Sequence, residues 1–183
     1  SFEYYAPTKV FFGKGVENDL GKIIKDYGYK KVLLHYGGGS IKRTGLYDKL
    51  IKTLKEAGIS YCELGGVEPN PKIDLIRAGI ELCKNQSIDL ILAVGGGSVI
   101  DSAKAIGIGI ANNMDPWYII ENSIVPKEKF PLGVVLTMAS AGSEMSGSCV
   151  ISNTKNNLKR SINYEGNRPL FAIMNPEHTY TVS

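Results

Sequence analysis

The sequence has no run of roughly 18 consecutive apolar residues, the length a membrane-spanning helix requires. No basic stretch followed by an apolar one stands at the N-terminus, so no secretory leader is expected, and Ser1 in place of Met reads as a trimmed start. Cysteine is sparse. Cys62, Cys83 and Cys149 form no CxxC, cannot all pair, and have no histidine near them in sequence. They read as small apolar side chains in a reducing compartment, and a cytoplasmic location is expected. Basic residues are scattered, with only short pairs such as Lys30-Lys31 and Lys42-Arg43, and the net charge is +3. A nucleic-acid face would need a denser basic stripe or an aromatic ladder, so neither a nucleic acid nor a membrane is an expected partner. Histidine is the scarcest of the chemically active residues, with His35 and His178 alone.

What remains is a soluble globular composition, 43% hydrophobic and 21% charged over 183 residues. One domain is the default at this length, and no low-complexity segment or Pro-rich linker divides it. Short apolar runs alternate with helical periodicity. Lys31–Tyr36 reads as a strand, and residues 45–57 as a helix with Leu46, Leu50, Ile51 and Leu54 on one face. Ser60–Leu64 reads as a strand and residues 73–83 as a helix. Residues 89–94 give the strongest buried strand, followed by an apolar helix at 99–111 and a strand at 131–137. Strands that are apolar throughout, each followed by a helix, are what a parallel sheet covered on both faces requires. The fold class is therefore α/β, a Rossmann-like, doubly wound, mainly parallel sheet. Residues 4–12 are expected as an added edge strand and 140–148 as a loop. Residues 150–152 and 160–163 are expected as a β-hairpin leading to Phe171–Met174.

The 21 glycines are clustered. Gly37-Gly38-Gly39-Ser40 and Gly95-Gly96-Gly97-Ser98 each follow an apolar strand and each enter a helix, a context that strengthens an otherwise weak motif. Glycine lets backbone approach a phosphate closely, and the free N–H groups of a helix N-terminus favour an anion. Two such turns suit a ligand with phosphates at separated positions. The alternative is a pair of tight turns, with Ser98 and Asp101 forming a capping box. Asp101 reads as a cap, or as a cap that also touches the reactive end of the ligand, and Lys104 reads as a helix-surface charge.

NAD sites of this class place a carboxylate at a strand end to accept the ribose hydroxyls. After Tyr36 no acidic residue appears until Asp48, while Ser40, Lys42 and Arg43 lie close. Such a turn accepts a 2′-phosphate, so NADP(H) is expected rather than NAD(H). If Lys42 and Arg43 are only solvated charges, the preference stays open.

Three further blocks complete a pattern: Gly-Gly-Gly-Ser-x-x-Asp-x-Ala-Lys from Gly95 to Lys104, Thr137-x-Ala139-x-x-Gly142-Ser143-Glu144, and Asn175-Pro176-x-x-Thr179. In this order they resemble the iron-containing (group III) alcohol dehydrogenases over the whole chain. The likeness is greatest to the NADPH-linked butanol dehydrogenase and aldehyde reductase branch. Dehydroquinate synthase and polyol-phosphate dehydrogenases carry similar glycine turns, but residues 137–144 fit them less well. The resemblance implies that Gly37, Gly38, Gly39 and Ser40 surround the adenosine ribose and its 2′-phosphate, with Asn70 beside them. It places Gly95, Gly96, Gly97 and Ser98 at the pyrophosphate. Thr137 would contact the cofactor, with Gly142 and Ser143 in the loop passing the nicotinamide. Lys159 would bind the cofactor ribose, and His178, Thr179 and Val182 would lie near the nicotinamide. Ala141, Ser146, Asn175 and Ser183 depart from the family's usual residues, and the first two weaken the polar contacts expected of that loop.

The resemblance also implies hydride transfer between a nicotinamide and a small alcohol or aldehyde, with Fe2+ or Zn2+ as Lewis acid on the substrate oxygen. The family's metal ligands are one Asp and three His from a helical C-terminal domain. Two histidines cannot supply three ligands, so residues 1–183 are expected to be the dinucleotide-binding N-terminal domain alone, with the metal ligands beyond Ser183 and no catalytic residue in this chain. A standalone, non-catalytic nucleotide-binding module is the alternative. Residues 4–12 either pair across a homodimer interface as an edge strand or simply add to their own sheet, and the sequence leaves this open.

Overall fold

Every strand of the main sheet runs in the same direction. The structure, a computed structural model, describes residues 1–2 and 5–180. Tyr4 of the expected edge strand and Val182 of the expected nicotinamide contacts lie outside the described residues. In chain order the sheet elements are β1 (Lys9–Phe12), β2 (Lys31–Tyr36), β3 (Ser60–Leu64), β4 (Leu90–Gly95), β5 (Leu132–Leu136) and β8 (Phe171–Met174), in spatial order β1-β8-β5-β4-β2-β3. The hairpin is β6 (Ser148–Asn153) with β7 (Leu158–Asn163), antiparallel and separate from the sheet. The helices are α1 (Leu20–Asp26), α2 (Ser40–Arg43), α3 (Leu46–Glu56), α4 (Ile73–Asn85), α5 (Gly97–Asn112) and α6 (Pro116–Glu121).

The central strands β4 and β5 are apolar throughout, and β2 largely so, because both faces are covered. Val32, Leu34, Leu90, Leu92 and Val94 pack with residues of α1 and α3, while Leu33, Ile91 and Ala93 pack with residues of α4 and α5. Period-2 alternation therefore sends successive side chains into two different cores rather than into core and solvent. Cys83 and Cys149 are buried, and burial pushes both thiols up to about 12, which leaves them as inert apolar groups. Among the described residues no helix is long and apolar enough to cross a membrane.

The strand order puts the functional end of the sheet between β2 and β4. From β2 the chain moves outward to β3. From β4 it moves the other way to β5. The connections part at the β2/β4 boundary, and the carboxyl ends of these two strands carry the two glycine turns. A crevice at such a reversal is where open α/β sheets bind ligands.

Several details differ from the sequence-based expectations. The expected loop at 140–148 contains a short 3-10 turn, Ser143–Met145, and its last residue already begins β6. The helix expected from Val99 begins at Gly97, so Ser98 lies inside its first turn. Helices α1 and α6 were not evident from periodicity. The edge strand is shorter than expected: β1 starts at Lys9 and pairs in parallel with β8.

Candidate functional site

Glycine brings the two turns together. A Cβ on Gly37 would stand 3.2 Å from Val67 O and 3.7 Å from Val99 Cγ2, and one on Gly95 would stand 2.6 Å from the same Val99 methyl. Val99, in the first turn of α5, is thus wedged between the ends of β2 and β4. At Gly95 a side chain would displace it. Gly38 and Gly97 face open space instead, with nothing within 4 Å of an added Cβ. Each turn thus combines a closely packed glycine with one that leaves open space.

Helix α5 starts with no side chain over its amides. Gly96 is the N-cap residue, no side chain caps the helix, and the first turn carries no acidic residue. The capping-box alternative is therefore corrected. Ser98 is not in the cap position, and Asp101 faces elsewhere: its carboxylate accepts from Ser143 Oγ at 2.6 Å and from Val150 N at 3.0 Å. The uncapped N–H groups are left for an anion. Helix α2 repeats the arrangement at Ser40, with Gly39 as an N-cap lacking a side-chain bond.

The segment after β3 folds back onto the first turn. Gly66 N donates to Gly37 O at 2.8 Å and Val67 N to Tyr36 O at 3.3 Å. Asn70, in the left-handed region at φ 58°, then meets the hairpin, where Lys159 Nζ donates to Asn70 Oδ1 at 2.6 Å. Ser152 N donates to Pro71 O at 2.9 Å and fixes the hairpin there. Gly37–Ser40, Asn70 and Lys159, far apart in sequence, are thereby brought to one side of the site. On the other side Thr137 N donates to Gly95 O at 3.1 Å, and Met138 Cε lies 3.4 Å from a Cβ position on Gly96.

His178 and Thr179 sit in a different cluster. Glu17 is fully buried and accepts from Asn175 Nδ2 at 3.1 and 3.0 Å, with Lys49 Nζ and His178 Nε2 each 3.6 Å from it. Thr179 Oγ1 donates to Pro176 O. Among the described residues no hydrogen bond or ion pair joins this cluster to the glycine turns.

Three features escaped the sequence reading. The first is Lys104, which is not a surface charge but 2% exposed. Burial lowers its pKa to about 8, with Asp101 opposing that shift. The signal for it was present: α5 is apolar on nearly every face, so a lysine near its middle has no solvent side. The second is Glu63 of β3, which accepts from the Tyr36 and Tyr47 hydroxyls and lies 3.9 Å from Lys42 Nζ. A carboxylate thus comes near the first turn from the neighbouring strand, but its oxygens are occupied. Its hydrogen bond raises the Tyr47 phenol well above the usual range.

The third is His35, which locks the two halves of the site. Its Nδ1 donates to Leu64 O at 2.7 Å and its Nε2 accepts from Ser102 Oγ at 2.8 Å, tying β2 and β3 to α5. The tautomer follows because a carbonyl only accepts. Burial lowers the His35 pKa to about 4. The unfolded chain, with a histidine near 6.5, takes up the proton first, so stability falls as pH drops through the window from about 6.5 to 4. By pH 5 the loss from this residue amounts to about 2 kcal/mol, expected as a lower urea midpoint than at pH 7. In a folded His35→Gln variant that part of the pH slope disappears.

Among the described residues no group of three or more His, Cys, Asp or Glu is placed to hold a metal ion. Both ring nitrogens of His35 are engaged inside the core.

A family model for iron-containing alcohol dehydrogenases matches residues 7–176. NADH-dependent butanol dehydrogenase A of Clostridium acetobutylicum is 45% identical over 182 residues, covering 100% of this chain and 46% of that protein. An NADPH-dependent aldehyde reductase of Escherichia coli is 37% identical over 185 residues, covering 100% of this chain and 47% of that protein. The crystal structure of NADH-dependent butanol dehydrogenase A from Thermotoga maritima superposes with a TM-score of 0.95 at 37% identity, covering 100% of this chain and 46% of that one. The chain spans about half the length of the curated relatives it matches. It belongs to the iron-containing alcohol dehydrogenase family.

Proposed function

We propose that this chain holds NADP(H) across the β2/β4 boundary and serves hydride transfer between the nicotinamide and a small primary alcohol or aldehyde. The observation that carries the reading is the pairing of the turns. Two glycine turns with uncapped helix starts flank one topological switch point, with Val99 between them. Gly95–Ser98 would hold the pyrophosphate on the α5 amides, and Gly37–Ser40 the adenosine ribose, with Asn70 and Lys159 beside it. In the whole protein the metal would act as Lewis acid on the substrate oxygen. The residues of this chain bind and orient the dinucleotide.

The preference for a 2′-phosphate rests on charge. The Arg43 guanidinium lies 3.0 Å from where a Gly39 side chain would begin, and Ser40 is exposed beside it. The nearby carboxylate, Glu63, is engaged by two phenols and Lys42. A phosphate therefore meets a cation at this turn and no free anion. The relatives' names include both cofactors, so the choice belongs to this chain's own turn. Paired calorimetric titrations are expected to give NADPH an affinity at least about tenfold above NADH. Tighter NADH binding would overturn the 2′-phosphate assignment. The 183-residue chain is expected to bind without oxidising butanol, with or without added iron or zinc. In the sheet, β1 forms an edge, which leaves it available for pairing with a second subunit.

A further inference from the structure

A hydrocarbon would fill the Lys104 position at lower cost. Taking an ammonium out of water is expensive, and a buried ionic contact seldom returns more stability than a well-packed apolar side chain. Yet Lys104 Nζ sits among four oxygens: Ser143 O at 2.6 Å, Ser148 O at 2.9 Å, Ser143 Oγ at 3.0 Å and Ser146 Oγ at 3.4 Å. An ammonium has only three protons to share among them. Two backbone carbonyls from different points of the 143–148 segment are turned to one place, and the chain between them curls around the charge.

The start of the same segment is fixed to the same helix. Thr137 N is bonded to Gly95 O, and Met138 lies against Gly96 at the start of α5. Asp101, one turn before Lys104, holds Ser143 Oγ and Val150 N with its two oxygens. Residues 138–142 are therefore an arch with one foot on the second glycine turn and the other on Lys104. Residues 138–141 of the arch are exposed. Ser143 Oγ is spent on this arrangement, so what the loop can offer a ligand is its placement.

We propose that Lys104 is a positioning residue: it sets the 138–142 arch over the nicotinamide half of the dinucleotide. The inference rests on the dinucleotide reading above. It has a consequence that general stabilisation of the fold does not share. The adenosine half is met by Gly37–Ser40, Asn70 and Lys159, none of which Lys104 bonds directly. Lys104 reaches the Lys159 hairpin through Ser148 alone, and Pro71 and Asp101 hold that hairpin independently, so loss of the ammonium is expected to act mainly on the nicotinamide end.

Calorimetric titration separates the halves. The ligands are NADPH and adenosine 2′,5′-bisphosphate, the half of the same molecule that carries the adenosine and its 2′-phosphate. Lys104→Met is expected to weaken NADPH by about tenfold and adenosine 2′,5′-bisphosphate by less than about twofold. Ser143→Ala removes one of the four oxygens and the bond to Asp101, while Lys104 keeps three oxygens and Asp101 keeps Val150 N. It is expected to act in the same direction with a smaller loss, and it carries the test if Lys104→Met does not fold. Equal losses for both ligands, or undiminished NADPH binding in the folded variants, would overturn the inference. A parent chain that binds neither ligand would overturn the dinucleotide reading itself, and this inference with it.

Discussion

Replacing Gly97 by Asp is expected to weaken NADPH binding by about a hundredfold or more while the chain melts no lower than its parent. Gly97 is the first residue of α5, and an added Cβ there meets nothing within 4 Å. The fold has room for the side chain. A carboxylate in the first turn is favoured by the exposed amides, typically by 0.3–1 kcal/mol, and glycine is itself a poor helix former. The same carboxylate occupies the place where the pyrophosphate is expected. Two unit charges about 4 Å apart repel by roughly 4 kcal/mol near a protein surface, and a hundredfold loss requires about 2.7 kcal/mol. Thermal melting and NADPH titration of the one variant check both halves. A variant that binds as well as the parent would remove the phosphate from the α5 N-terminus.

The largest effect on folding is expected at Gly21, where binding is not involved. A Cβ there would stand 2.1 Å from Thr53 O and 2.8 Å from Thr53 C, so α1 and α3 would have to separate by more than an ångström. Thr53 binds this crossing from the other side. Its Oγ1 accepts from Gly21 N at 2.9 Å and donates to Asn18 O at 3.0 Å, satisfying a donor that the start of α1 leaves unpaired. Gly21→Ala breaks this register and overpacks the core beneath β2 and β4, at about 3 kcal/mol. For a chain of this size that corresponds to a melting temperature lower by roughly 6–12 °C. The comparison with Gly97→Asp is informative because the two glycines have opposite roles, one allowing helices to touch and the other leaving space for a ligand.

The fold was largely legible in the sequence where one local signal decided the structure. The run ending at Gly95 is apolar from Leu90 on, and Lys31–Tyr36 is largely so, because the sheet has two covered faces, and they appear as β4 and β2. The glycine turns were legible because each sits between a strand and a helix pattern. What escaped was written across distant parts of the chain. Helix α1 is seven residues long and carries a glycine whose purpose is set by Thr53 of α3. Helix α6 did have a local signal, since Asp115 caps it through the Trp117 and Tyr118 amides and Pro116 follows at the first helical position, but the segment is only six residues long.

The candidate site divides along the same line. The glycines, Ser40 and Ser98 could be placed from local pattern, and the family likeness pointed to Asn70 and Lys159, which the structure joins by a hydrogen bond. Lys104 was misplaced because a lysine ordinarily seeks water, and the oxygens that hold it come from residues 143–148. Glu63 is illegible for a similar reason: the chain after Tyr36 carries no carboxylate until Asp48, whereas the sheet supplies one from β3 next door. Ser143, expected in a loop facing the nicotinamide, is buried and bonded to Asp101 and Lys104.

One dinucleotide is expected to span both glycine turns. Amide chemical shifts recorded during titration with NADPH test it directly. Signals of Gly37–Ser40 and Gly95–Ser98 are expected to move together and to saturate at the same ligand concentration, with Asn70 following. Saturable binding that leaves either set of amides unmoved would contradict the account.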